Sequence, residues 1–129
     1  MDPQVKQAQQ LFWEIGRLRD QGLYPLALRK VRQMAQIHEE LAVRLLHEGE
    51  ADGWADLYAA ITAWGEAGHK GDAHRLILEG RRLSALFPNG RQNIERQLNE
   101  LEDWLESLRV LPSLSDFDRP MPPIPVEAA

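Results

Sequence analysis

Glu66 and His69 stand three residues apart. This Glu-x-x-His spacing sets both side chains on one face of a helix, and di-iron bundles use it to hold metal. Such a centre needs a second copy of the motif and two further inward glutamates. The chain has one copy, and it runs into Gly68-His-Lys-Gly71, which reads as a turn. Asp72 and His74 follow, and a helix cap and a surface histidine account for them. His38 falls on an apolar stripe, which marks it as a packed histidine rather than a ligand. Its neighbours Glu39 and Glu40 diverge by about 100° on a helix and cannot converge on one substrate. There is no cysteine to act as a nucleophile, a thiolate ligand or half of a disulfide. Gly-x-Ser-x-Gly and Gly-rich phosphate loops are missing too. Arg81-Arg82-Leu83-Ser84 has the basic look of a kinase target, but Ser84 falls on a buried stripe. These residues predict a protein that is not an enzyme and holds no metal or cofactor.

Aromatic residues are the stronger lead. Tryptophan and tyrosine bury large areas at low entropic cost and are enriched in binding hot spots. Trp13 and Trp104 sit off, or at the flank of, the apolar stripes of their segments, so they either pack on neighbouring helices or anchor a partner or a second copy.

Charge narrows the partner. The chain of 129 residues has a formal net charge of −5. Residues 1–50 are neutral, with seven basic and seven acidic groups, and the acidic excess lies beyond them. A nucleic-acid binder needs a concentrated positive surface. Arg29, Lys30 and Arg32 instead point around a helix, and Arg75 and Arg82 share a face with Glu79 between them as the expected ion-pair partner. Nucleic acid is therefore not an expected partner. Apolar runs are too short to span a bilayer, and Met-Asp-Pro-Gln-Val-Lys lacks the apolar centre of a signal peptide. A cytoplasmic protein without membrane contact is the expectation.

The periodicity predicts five helices and no strand. Asp2 and Pro3 open the first, striped by Val5, Ala8, Leu11, Phe12, Ile15 and Leu18 and ended by Gly22. Pro25 starts a second that reaches about His47, lined by Ala27, Val31, Met34, Ala35, His38, Leu41, Ala42 and Leu45. A third covers about Trp54 to Ala67, striped by Trp54, Leu57, Tyr58, Ile61 and Trp64, and its Leu57, Ile61 and Trp64 are expected to pack on the fourth. A fourth, with Asp72 as its expected cap, buries Leu76, Ile77, Leu83 and Phe87 and stops at Pro88. A fifth begins near Gln92 and shows Ile94, Leu98, Leu101, Leu105 and Leu108. Short turns make neighbours antiparallel, so the expected fold is all-α, a row of helical hairpins over residues 1–110. Residues 111–129, with four prolines between 120 and 125, read as an extended tail. Large apolar residues off the stripes (Trp13, Ile37, Leu78) argue for an array in which a helix has neighbours on two sides.

Residues 57–89 resemble a tetratricopeptide repeat. Gly71-Asp72 matches the family's pair opening the second helix, Pro88-Asn89 its close, and Leu76, Gly80 and Leu83 its interlocking positions. Ile15-Gly16, Gly22-Leu-Tyr24 and Ala27 repeat the theme, and the fifth helix resembles the family's capping helix. Gly22 and Gly71 are 49 residues apart, however, where the regular repeat is about 34. The resemblance implies a stacked array that binds a protein or peptide on its concave face, formed by the first helix of each hairpin. By position it implies Tyr58, Ile61, Gly65 and His69 near that face, with Trp13 and Arg17 on the other first helix. The family's carboxylate-clamping basic and asparagine side chains are not at these positions. The expected function is a non-enzymatic interaction module or adaptor. A homodimeric accessory subunit, with the fifth helix and Trp104 at the two-fold, and a small-molecule- or metal-binding bundle are the alternatives.

Overall fold

A computed structural model describes residues 2–108, and the expectations for the tail lie outside these residues. Five α-helices follow in order: α1 Pro3–Asp20, α2 Tyr24–His47, α3 Gly53–Glu66, α4 Lys70–Leu83 and α5 Arg91–Ser107. A single 3-10 turn, Ser84–Leu86, lies between α4 and α5, and there is no strand among the described residues. The fold is an all-α helical array.

Local chemistry sets the hairpins. The Asp2 carboxylate accepts the Gln4 backbone N–H at 2.8 Å with Pro3 in the first turn, so α1 starts where its free donors are met. α1 ends on Gly22 at φ +75°, where the Leu23 N–H reaches back to the Leu18 carbonyl at 2.9 Å. α3 ends the same way on Gly68 at φ +82°, with the His69 N–H on the Trp64 carbonyl at 2.8 Å. This left-handed closure satisfies the last carbonyls and reverses the chain. One expectation fails here. α4 begins at Lys70, with His69 as its cap, so Asp72 lies inside the first turn. There its negative charge still complements the helix dipole.

α1 packs on α2, α2 on α3 and α3 on α4, while α5 closes against both α4 and α3. The main core joins Val31, Ala35, Ala42 and Leu46 of α2 with Leu57, Ile61 and Trp64 of α3, Leu76, Ile77 and Leu83 of α4, and Ile94, Leu98 and Leu105 of α5. The expected packing of Leu57, Ile61, Trp64, Leu76, Ile77 and Leu83, with half-buried Phe87 against them, is present. Ala60 and Ala63, with Ala67 just past its end, keep α3 thin enough to be surrounded. At Gly65 a β-carbon would stand 2.8 Å from the Trp104 ring, so its absence lets α5 lie on α3. A smaller cluster of Ala8, Leu11, Ile37 and Leu41 holds α1 to α2.

Two stripe expectations are corrected. Phe12 is 62% exposed rather than buried, because among the described residues α1 packs mainly on α2. Of the off-stripe residues, Ile37 is buried, but Trp13 and Leu78 are 75% and 65% exposed. Their positions therefore give no support to a stacked array.

Candidate functional site

α1 and α3 both rest on α2, and between them runs a groove of about 790 Å³ with α2 as its floor. Its length follows α3, 14 residues or roughly 20 Å at 1.5 Å per residue. Val5, Ala8 and Phe12 form one wall, Met34 and Leu41 the floor, and Tyr58, Ala59 and Thr62 the other wall. The helical stagger explains why these residues of α3 are available. Ile61, Gly65 and Trp64 turn to the core and α5, which leaves the strip of Tyr58, Ala59, Thr62 and Glu66 on the remaining side.

Polar groups mark the groove without filling it. His38 on the floor meets Asp56 on the α3 wall, Nδ1 to Oδ1 at 2.9 Å. At one end Arg19 of α1 reaches across to Glu66 of α3 at 3.6 Å, an exposed pair worth little on its own. Tyr58 stacks on Trp54 with centroids 6.1 Å apart, and Trp54 meets Phe87 edge-on at 5.5 Å. Burial pushes the Tyr58 phenol above its ordinary pKa, because the phenolate would lose hydration there. These groups can seat apolar side chains and offer a few hydrogen bonds.

Elsewhere, ion pairs fasten helices to each other. Glu39 of α2 accepts from the Trp64 indole at 3.1 Å and from Arg75 at 2.8 Å, joining α2, α3 and α4. That bond raises the Arg75 pKa and draws Arg75 to Glu39, while Glu79 forms the expected pair with Arg82. Arg81 grips Glu102 through both nitrogens at 3.0 and 3.1 Å and Asn99 at 3.0 Å, clamping α4 to α5.

The residues singled out from sequence separate into three places. Tyr58 lies in the groove wall. Trp13 stands on its rim, edge-on to Phe12 at 5.9 Å, with Arg17 exposed one turn further along. Ile61 is wholly buried and cannot meet a partner, which corrects its placement on an exposed face. Gly65 is likewise covered, by Trp104. His69 packs on Trp64 at 5.4 Å, at the α3–α4 turn, away from the groove. Trp104 is half-buried against α3. Glu66 and His69 also part company, since Glu66 pairs with Arg19 and His69 faces Asp72 at 3.7 Å. Among the described residues no three His, Asp or Glu side chains converge.

Sequence reasoning missed Phe12, Ala59 and Thr62. Ala55, Ala59, Thr62 and Glu66 form a stripe of small and polar residues at helical spacing, and that stripe could have pointed to the open side of α3. No family model matches the chain, and no curated protein or solved structure does so either. The described residues contain no helix long and apolar enough to cross a membrane.

Proposed function

We propose that this chain is a non-enzymatic interaction module that holds an apolar peptide segment of a partner protein in the α1–α3 groove. The observation that carries the reading is the groove itself, mainly apolar in its lining, with Phe12 and Trp13 exposed along its rim. Exposed aromatics bordering a concave apolar surface are unusual on a protein with nothing to bind. An extended or helical segment lying along roughly 20 Å of α3 would seat two or three apolar side chains against Tyr58, Ala59 and Met34. His38, Asp56 and Thr62 would meet its polar groups. The groove faces the first helix of each hairpin, and under this reading the hairpins act as a short tetratricopeptide-like array. A small apolar molecule is the second reading, favoured because the volume falls within the roughly 300–1,000 Å³ of common ligand pockets.

Selection of random displayed peptides against the full chain tests this. Enriched peptides should carry apolar anchors at fixed spacing and bind Ala59→Glu at least about tenfold more weakly, since a charge would enter the apolar wall. Peptides that bind wild type and Ala59→Glu alike would refute the groove as the site. A stoichiometric small molecule released on denaturing the purified protein would favour the second reading.

A further inference from the structure

Lys6, Gln10, Trp13, Arg17 and Asp20 recur at alternating spacings of four and three along α1. They form one stripe, turned away from the buried Leu11 and Ile15. All five are exposed, Trp13 most plainly. Lys6, Arg17 and Asp20 make no ion pair with any described residue, although other charges of this hairpin do: Lys30 with Glu14, Arg19 with Glu66, Arg44 with Asp2. Beside Trp13 lies a hollow of about 490 Å³, bounded by Gln10, Gly16, Arg17 and Asp20. Gly16 is exposed in mid-helix, and outside its own turn no atom of the described residues comes within 4 Å of where its β-carbon would stand. A mid-helix glycine weakens the helix, and no contact among the described residues calls for it.

The geometry points to a second copy of this chain as the occupant of this face, with two α1 helices packed antiparallel about a two-fold axis at Trp13. Lys6 and Asp20 each lie seven residues from Trp13, so in that register Lys6 of one copy stands opposite Asp20 of the other, twice over. Arg17 then faces Gln9, and Gln10 faces Gly16, where the missing side chain admits a close approach. No like charges stand directly opposite. A parallel pairing would instead stack Lys6 on Lys6 and Asp20 on Asp20, which disfavours it. Each Trp13 ring has the hollow of the other copy beside Gly16 to enter. The face is short, roughly 21 Å of helix from Lys6 to Asp20, so association is concentration-dependent rather than permanent. None of this rests on the groove reading. Gln9, Trp13 and Gly16 border both surfaces, but Lys6 and Asp20 do not line the groove.

Sedimentation equilibrium of the full chain from about 1 µM to 1 mM tests it. Wild type should pass from monomer to dimer within that range. Trp13→Ala should weaken the dimer at least about thirtyfold. Lys6→Asp and Asp20→Lys should each weaken it about tenfold when alone, because both pairs become repulsive. Mixed together, those two variants should associate as wild type does, since both facing pairs of the mixed dimer again join a carboxylate to an ammonium group. Circular dichroism should be unchanged throughout, the positions being exposed. A wild type that stays monomeric at about 1 mM overturns the proposal. So does a dimer that ignores the charge variants, or a mixture that fails to recover.

Discussion

α3 has two flanks, and they are finished differently. On one side α4 and α5 pack against it and against each other, and Gly65, Gly80 and the alanines let three helices meet in one core. On the other side α1 and α3 share α2 as a common floor and leave a groove where direct contact would be. The polar fastenings follow the same division. Arg81 holds Glu102 by two nitrogens across α4 and α5, whereas Arg19 meets Glu66 at 3.6 Å with both side chains close to half exposed. One chain thus has a closed half that holds most of the core and an open half that carries a groove. The open half leaves apolar surface unburied, and that loss is tolerable only because the closed half supplies most of the core.

Core truncation should expose this division most strongly. Leu98→Ala, at a wholly buried site between α4 and α5, should cost about 3–5 kcal/mol. Leu11→Ala, in the small α1–α2 cluster, should cost nearer 2 kcal/mol, because α1 can settle into the space. Phe12→Ala should change stability by less than about 0.5 kcal/mol. Urea unfolding gives all three, and equal losses at Leu98 and Phe12 would erase the distinction.

Gly65→Val comes next. Its side chain meets the Trp104 ring and Leu105, so α5 must shift, at a cost of about 1–3 kcal/mol, with Trp104 emission moving to the red. The same change at exposed Gly16 should leave monomer stability nearly unaltered.

The helix clamps should differ by less. A double-mutant cycle on Arg81 and Glu102 should give about 0.5–1 kcal/mol of coupling, reduced by their partial exposure, and Arg19 with Glu66 close to zero. The pH dependence follows from the same clamp. The Arg81 guanidinium holds the Glu102 pKa below its ordinary value, so the unfolded chain binds the proton more readily. Its stabilisation is complete above the ordinary glutamate range and is lost as pH falls through the lowered folded value. Glu102→Gln should therefore flatten the acid side of the stability profile slightly; a steeper acid loss in the variant would reverse the sign. Asp2, lowered by the Gln4 backbone N–H and then Arg44, acts in the same direction at α1.

The closed half was far more legible in the sequence than the open one. Leu76, Ile77, Leu83, Leu98 and Leu105 recur at helical spacing, and a stripe of large apolar residues has few places to go. The turns were legible for the same local reason, through Gly22 and Gly68. The groove was not, because periodicity records which residues are apolar and not which helix lacks a neighbour. Phe12 therefore read as core, although it ends on a rim. Ile61 was legible as core from its stripe, but the family likeness also placed it near an exposed face, and the crowding of α3 by α2, α4 and α5 puts it inside. Arg75 found Glu39 across two helices, a contact that spacing along one helix cannot reveal.

The most direct test of the open half as the binding half is a backbone NMR titration of the full chain with a peptide selected against it. If the groove is the site, shifts should concentrate at Val5, Ala8 and Phe12 of α1, at Met34 and His38 of α2, and from Tyr58 to Glu66 on the exposed strip of α3, with α4 and α5 quiet. Shifts centred on α4 and α5, with the groove silent, would contradict it.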